Sequence, residues 1–448
     1  MTLDTSHSVL LDQAIQILEQ SFNELPEFKP KSDNHNYREI LELVANRLQD
    51  NFPYAHPLYA GQMLKPPHTV ARLAYSLAMF VNPNNHALDG GRASSQMEKE
   101  VMADIASMYG WGDKYLGHLT SSGTIANLEA LWIADQIHPG KKVIASEQAH
   151  YTHSRLTQVL KIPYESVAVD DCGRMSIEAL TQLLKTGEVG TVVVTMGTTG
   201  MGAVDPLHEI VALQSEYKFR IHIDSAYGGY FRLTNNLGQS ATRAYQTMQS
   251  ADSIVVDPHK CGLQPYGCGC VLFKDPGVGQ YYHHDSPYTY FSSDELHLGE
   301  ISLECSRAGA SAVALWATMQ MFPLEPSGQF ARDIESTHEA ANDFYQRLIR
   351  SDKDKVIIEP ETNIVIWAPE GKSATEISRL SQLLFDRAAE AGLYLATIKL
   401  SSEWLSRHWS DVDFDEATVL CMRSCLMKAE HLDWLDQIWS IYSALRRG

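Results

Sequence analysis

Hydrophobic runs and helical patterns alternate through the middle of the chain. Between about residues 115 and 275, short runs of β-branched and aliphatic residues are separated by stretches in which apolar residues recur every three or four positions. The runs predict strands at 142–146, 191–196, 219–224, 253–256 and 269–273. Predicted helices lie at 124–137, 176–186 and 205–217. This alternation predicts an α/β fold with a mostly parallel sheet, in which ligands bind at the carboxyl ends of the strands.

Near the two ends of the chain, the predicted elements are mostly helices and do not alternate regularly with strands. An apolar stripe predicts an amphipathic helix over 8–22, which has to pack on its own chain or on a partner subunit. Further predicted elements are a linker at 26–36, helices at 69–80, 331–350, 374–391 and 431–446, and a strand at 363–367. We therefore expect an N-terminal helical arm over 1–60, a large domain over 61–322 and a small α+β domain over 323–448.

Composition narrows the class of protein. The 448 residues are 44% hydrophobic, enough for a large core, and 55 acidic against 36 basic residues give a net charge of −19. That charge disfavours nucleic acid and anionic membranes as partners, because both require clustered cations. The first 28 residues contain no Lys or Arg, so no secretory signal is expected. Seven scattered cysteines, an odd number, indicate reduced thiols and a cytoplasmic protein.

Two polar features at the ends of predicted strands suggest contacts with a phosphorylated ring compound. Ser122, Gly123 and Thr124 open a predicted helix, where main-chain N–H groups and hydroxyls can hold a phosphate. Taken alone, these residues are better explained by ordinary helix capping. His150 follows the strand at 142–146 and can stack on a planar ring or carry protons; its alternative is a hydrogen-bonded loop histidine.

Asp224 and Lys260 also lie at the ends of predicted strands, and with the two preceding features they make a set of four. Asp224 ends the strand at 219–224 and can hold a cationic ring nitrogen, with Ala226 leaving room for a flat ring, or it caps the next turn. Lys260 follows the strand at 253–256, and a buried lysine is costly unless it is paired or used chemically, for example as a Schiff base. A phosphate site, a stacking residue, an acid for a ring nitrogen and a Schiff-base lysine are together the requirements of pyridoxal 5′-phosphate (PLP).

The chain resembles the group II PLP-dependent amino-acid decarboxylases, the family of glutamate and aromatic amino-acid decarboxylases. The similar stretches are 120–134, 146–150, 197–207, 222–229, 257–275 and 304–316. The most specific of these are HIDSAYGG at 222–229 and DPHK at 257–260. The resemblance implies the PLP-dependent transferase fold type I with a mostly parallel seven-stranded sheet. It also implies a homodimer with active sites at the subunit boundary, and the conversion of an L-amino acid to an amine and CO₂.

The resemblance also assigns the residues around the cofactor. It implies that Lys260 forms the Schiff base with PLP and that Asp224 faces the pyridine nitrogen. It implies that His150 stacks on the ring, and His150 is also a candidate for positioning the substrate carboxylate or for proton transfer after CO₂ leaves. The remaining residues implied to contact the cofactor are Ser122, Gly123 and Thr124 at the phosphate, with His259 beside them, Thr199 near the ring oxygen and Ala226 under the ring.

Three more residues are implied to act on the substrate. Arg423 resembles the small-domain arginine that holds the substrate α-carboxylate, for which its bidentate guanidinium is suited; a surface or structural ion pair is the alternative. The segment 281–300 occupies the place of a mobile catalytic loop that carries a proton-donating tyrosine. Tyr288 and Tyr290 are its candidates.

Other functions compete with amino-acid decarboxylation. The same fold supports decarboxylation-dependent oxidative deamination, carbon–carbon bond cleavage and transamination, and an inactive PLP-binding homologue is a further alternative. A metal-dependent hydrolase could use His150 and His153 or the segment 283–285, but no second half of a metal site is apparent, so no metal is expected. Because the motifs are shared by decarboxylases of several amino acids, the prediction names an L-amino acid as a class.

Overall fold

The computed structural model describes residues 7–21, 24–26, 28, 36–283 and 296–446. The strands are β1 (Leu116–Thr120), β2 (Lys142–Ser146), β3 (Tyr164–Val167), β4 (Val189–Thr195), β5 (Arg220–Asp224), β6 (Ser253–Val256), β7 (Gly269–Phe273), β8 (Asp354–Val356), β9 (Ile364–Pro369), β10 (Ala396–Ser401) and β11 (Thr418–Cys425). The α-helices are α1 (Ser8–Gln20), α2 (Tyr37–Leu48), α3 (Thr69–Met79), α4 (Arg92–Met108), α5 (Gly123–Ile137), α6 (Thr152–Leu160), α7 (Ile177–Leu184), α8 (Leu207–Leu213), α9 (Gln239–Thr247), α10 (Gly309–Met321), α11 (Gln329–Ser351), α12 (Ala374–Glu390), α13 (Ser402–Leu405) and α14 (Leu435–Leu445). Short 3₁₀ helices lie at Leu88–Gly90, Gly229–Leu233, Met248–Ser250, Pro276–Tyr281, Leu298–Ile301 and Ala429–His431.

The predicted elements are confirmed, with small differences at their ends. The strands β2, β6 and β7 have the predicted bounds, and β4 begins two residues before its prediction. The helix predicted at 205–217 is shorter, because α8 ends at Leu213. The largest omission is α4, which has 17 residues, and α2 was not predicted either.

Seven strands form the large sheet, in the order β1-β7-β6-β5-β4-β2-β3. Neighbouring strands are parallel from β6 to β3, whereas β7 runs antiparallel to both β6 and β1. Every residue of β4 and β6 is buried, because helices cover both faces of the sheet. The predicted α/β fold with a mostly parallel seven-stranded sheet is therefore confirmed.

The carboxyl ends of β1, β2, β4, β5 and β6 lie at one edge of this sheet. Because β7 runs in the opposite direction, its first residue, Gly269, lies at the same edge. A Cβ atom at Gly269 would come within 2.5 Å of the carbonyl carbon of Ser122. Glycine at this position therefore lets β7 pass directly beside the start of α5, which fixes that helix terminus at the sheet edge.

A second, antiparallel sheet of order β10-β11-β9-β8 forms the smaller unit. Its helices pack on a core in which the ring centroids of Phe344 and Trp367 lie 5.2 Å apart and Trp367 donates a hydrogen bond to the Tyr442 hydroxyl. The chain before the large sheet joins this unit, since Ala60 donates its N–H to the Tyr394 carbonyl and accepts from the N–H of Cys425. This segment therefore connects the predicted arm to the small domain.

The two N-terminal helices differ in how they pack. Helix α1 confirms the predicted amphipathic helix and packs against α3 with its apolar stripe half-buried. Every residue of α2 is exposed, including Ile40, Leu41 and Val44. Most of the predicted linker at 26–36 lies outside the described residues. Within the described part of the chain, none of the helices has the length and apolar character required to cross a bilayer.

Candidate active site

A cavity of about 170 Å³ lies at the carboxyl edge of the large sheet. Nine residues predicted from the sequence line it: Ser122, Gly123, Thr124, His150, Thr199, Asp224, Ala226, His259 and Lys260. The other lining residues are Asn127, Thr152, Thr195, Gly197, Tyr227 and Asp257. These lining residues come together because the strands are parallel, so the loops that follow different strands meet at one edge of the sheet.

The start of α5 forms one wall of the cavity. Ser122 is the N-cap residue, and its Oγ accepts the N–H of Ile125 at 3.3 Å. The N–H groups of Gly123 and Thr124 belong to the first turn, where a helix offers no internal acceptor. A Cβ atom at Gly123 would collide with the Asp257 carboxylate, so glycine is what lets this carboxylate pack beside the turn. The first turn, at the positive end of the helix dipole, fits a phosphate group.

Asp224 ends β5 with both carboxylate oxygens hydrogen-bonded. Oδ1 accepts the N–H of Ala226 at 3.1 Å, and Oδ2 accepts from His153 Nε2 at 2.8 Å. Burial raises the pKa of the Asp224 carboxyl, but the hydrogen bond from His153 and the charge of Lys260 outweigh it and hold the pKa well below its usual range. Asp224 is therefore an anion at neutral pH, as a partner of a protonated ring nitrogen has to be.

Lys260 forms an ion pair that the sequence analysis did not assign. Its Nζ lies 3.0 Å from Oδ2 of Asp257, the first residue of the DPHK motif. Burial lowers the pKa of the Lys260 ammonium, but Asp257 and Asp224 outweigh it and raise the pKa above the usual value. Asp257 could have been found from its spacing, since a carboxylate three residues before a lysine can reach it across one turn.

The two cavity histidines differ in what their rings contact. His150 Nδ1 accepts the N–H of Thr152 at 3.3 Å, so the proton of the neutral ring lies on Nε2. Burial lowers the pKa of His150, which favours this neutral form. His259 Nδ1 lies 2.7 Å from the Cys268 carbonyl oxygen, to which it donates, and its Nε2 is 3.6 Å from Asp257 Oδ2. Of these two histidines, His150 therefore has a ring N–H that makes no hydrogen bond to the described residues.

A buried polar layer supports the floor of the cavity. His222, two residues before Asp224 on β5, makes contacts of 2.9 Å with Ser253 Oγ and Asn127 Oδ1. Asn127 in turn donates to the carbonyl of Gly123, at the start of α5. Burial lowers the pKa of His222 to about 3, so it is neutral. The layer connects the first turn of α5 to the strand that ends at Asp224.

Arg423 lies on β11 and does not line the cavity. Its guanidinium donates to the carbonyl oxygens of Thr199, at 2.6 Å, and Gly200, at 3.0 Å. It thereby holds the loop that carries Thr199, and its role in substrate binding stays a prediction. Tyr288 and Tyr290 lie outside the described residues.

The cavity residues fit PLP. The first turn of α5 matches a phosphate, Asp224 matches a ring nitrogen, and Lys260 matches an aldehyde. Within the described structure, the buried oxygens Thr195 Oγ1 and Asp257 Oδ1 have no hydrogen-bond partner, so the cavity has unused polar capacity. These are properties of a site built for a polar ligand.

Comparisons with known proteins agree with the geometry. The pyridoxal-dependent decarboxylase conserved domain matches residues 23–368. The chain is 29% identical to the L-tyrosine decarboxylase of Enterococcus faecium, over 78% of this chain and 76% of that protein. It is 26% identical to the L-2,4-diaminobutyrate decarboxylase of Acinetobacter baumannii, over 82% and 78%. The structure of Oryza sativa TDC with PLP and tryptamine has a TM-score of 0.79 at 15% identity, covering 100% and 99% of the two chains, which shows the shared fold.

Proposed function

The chain belongs to the pyridoxal-dependent decarboxylases, and from that premise we propose that the cavity at the carboxyl edge of the large sheet is the site where an L-amino acid loses CO₂. One observation carries the proposal. Nine residues predicted from separate stretches of sequence line a single cavity of about 170 Å³. The enzyme is a PLP-dependent lyase, and what we add is the location and the role of each residue.

The residues that would hold PLP follow from the geometry. Lys260 would bind its aldehyde carbon, the first turn of α5 would bind its phosphate, and Asp224 would face its ring nitrogen. When bound, PLP supplies an electron-withdrawing ring that stabilises the electron pair released as CO₂ departs. Asp224 keeps the ring nitrogen protonated because its anionic form is stabilised by two hydrogen bonds.

Two side chains are placed to hold or move protons. His150 carries its proton on Nε2, and its position on the cavity wall suits contact with the substrate carboxylate or proton return to the α-carbon. Lys260 would hold PLP, and Asp257, whose Oδ2 lies 3.0 Å from its Nζ, would hold the Lys260 ammonium group whenever it is not bonded to the cofactor. The ion pair would keep Lys260 at the cavity while substrate is bound.

A substrate screen tests the proposal. The purified protein is incubated with PLP and a panel that includes L-tyrosine, L-2,4-diaminobutyrate, L-aspartate, L-glutamate and the aromatic amino acids. We expect one amino acid to give equal amounts of CO₂ and the matching amine. An aldehyde with ammonia would instead indicate oxidative deamination, and a protein that binds PLP without any product would be an inactive homologue.

We also propose a homodimer with active sites at the subunit boundary, supported by the surface of α2. Ile40, Leu41 and Leu48 are each more than half exposed in the single chain. A contiguous apolar surface of this kind is typical of an interface. A second copy of the chain is the occupant that the family resemblance implies.

Substitutions that introduce charges on α2 test whether the protein is a homodimer. Leu41→Asp combined with Val44→Asp is expected to convert dimer to monomer in sedimentation and to abolish activity, since buried unpaired carboxylates oppose association. Asn46→Asp adds a charge at a polar position of the same helix and should leave both properties unchanged. A fully active monomer would contradict shared active sites.

A cytoplasmic location is the last part of the proposal. The seven cysteines, all of which are described, are free thiols. Several of them, including Cys270 and Cys421, are buried in the cores of the two units. Reduced thiols in a chain of this size support a reducing compartment.

A further inference from the structure

His153 contacts Asp224, the acid that we place opposite the cofactor ring. Its Nε2 lies 2.8 Å from Asp224 Oδ2, and its side chain is fully buried. His153 is the second residue of α6, and His150 lies just before that helix. The start of α6 therefore places His150 at the cavity wall and His153 against the Asp224 carboxylate.

The contact defines where His153 carries its proton. An ionised carboxylate can only accept, so Nε2 is the donor. Nδ1 is buried and has no hydrogen-bond partner among the residues that the structure describes. The Nε2–H therefore makes a hydrogen bond to a charged acceptor, which is stronger than one between neutral groups.

The surroundings hold the imidazole in place. The main-chain N–H of His153 donates to the carbonyl of His150 at 3.1 Å, and the main-chain carbonyl of His153 accepts from Thr157 Oγ1 at 2.9 Å. The His222 ring lies 6.4 Å away, centroid to centroid, at an angle of 71°. Because Ala226 donates to the other oxygen of Asp224, the carboxylate is fixed by donors on two separate elements.

We propose that His153 is a positioning residue, which acts through Asp224 to keep a proton on the ring nitrogen of the bound cofactor. The inference rests on the proposed role of Asp224. Without the donor, the carboxylate can rotate and its anionic form is less stable, so the ring nitrogen holds its proton less firmly. A hydrogen bond to a charged group is strong enough for its loss to change binding about tenfold or more.

Donorless and donor-retaining variants test this inference. His153→Phe keeps a planar ring and removes the donor, and His153→Gln offers an amide donor in its place; His153→Leu is a second donorless variant if the phenylalanine does not fold. His338→Phe is the matched control, since His338 is equally buried but contacts the Pro360 carbonyl in the small unit. Folding is verified by circular dichroism.

The readouts are the Kd for PLP, the ¹⁵N chemical shift of ring-labelled PLP in each variant, and kcat with KM. We expect donorless variants to bind PLP about tenfold more weakly, to shift the ¹⁵N signal towards an unprotonated ring and to lose kcat with little change in KM. His153→Gln should restore part of the PLP affinity, of the ¹⁵N signal of the protonated ring and of kcat. His338→Phe should leave the ¹⁵N signal unchanged. An unchanged ¹⁵N signal in folded donorless variants would overturn the inference.

A double-mutant cycle with Asp224→Asn separates the inference from its premise. If His153 acts through Asp224, the donorless change has little further effect in the Asp224→Asn background. An equal effect in both backgrounds would show a role independent of Asp224 and would overturn the inference. If Asp224→Asn by itself changes neither the ¹⁵N signal nor turnover, the assignment of Asp224 fails instead.

Discussion

Lys260→Ala is expected to lower the rate of CO₂ release by about a thousandfold or more, because the variant loses the only amine in the described cavity lining that can bind PLP covalently. Wild-type protein treated with borohydride should carry the reduced cofactor on Lys260, detected by mass spectrometry of its peptide. The alanine variant should carry none there. Label on another lysine would contradict the assignment.

Lys260→Arg is the matched variant for this prediction. Arginine keeps the positive charge and can pair with Asp257, so it preserves the electrostatics that Lys260 provides at 3.0 Å. It does not form the covalent bond, and we expect it to be as inactive as the alanine variant. Lys142→Ala, on a partly exposed pair with Glu165, should retain activity. An active Lys260→Arg would mean that only charge is required.

Asp224→Ala is expected to give the second largest effect, a loss of about a hundredfold to a thousandfold in kcat with weaker PLP binding. Without the anion the ring nitrogen loses its proton, and the ring withdraws electrons less strongly from the substrate. Asp224→Asn keeps the size and an acceptor for His153 but loses the charge, so we expect a loss close to that of alanine. Turnover and PLP affinity are measured for both.

Asp252→Asn is the control for Asp224. Asp252 also contacts β5, since its Oδ2 accepts the N–H of Ile221, but it lies before β6, at the opposite edge of the sheet. Its substitution should cost some stability and leave kcat unchanged. Normal turnover in Asp224→Ala would refute its role at the ring nitrogen.

The periodicity of the sequence predicted most of the large sheet because its strands are buried on both faces. Runs such as β4 and β6 are continuous and apolar, which marks them clearly against the helices. Helix α2 was not predicted, although Asn36 caps it and Ile40, Leu41 and Val44 are apolar. All of its residues are exposed in the single chain, so burial within the chain does not account for these apolar positions.

Sequence reasoning found most of the cavity residues that follow strands, although it missed Asp257 directly after β6. It also missed contacts between residues that are far apart in the chain. His153 was considered only as a metal ligand, because its partner Asp224 is 71 residues away along the chain. Arg423 was predicted at the substrate, whereas the structure places its guanidinium against the carbonyls of Thr199 and Gly200. Neither contact leaves a periodic signal in the sequence.

The sequence by itself determined the α/β class, the identity of the cofactor and the lysine and aspartate expected to bind it. These follow from local patterns, since strand periodicity and the residues after each strand can be read within a few positions. Only the tertiary structure decided that His153 supports Asp224 and that Arg423 supports the Thr199 loop. Such pairings depend on strand order and helix placement, because parallel connections bring together side chains that are far apart in the chain.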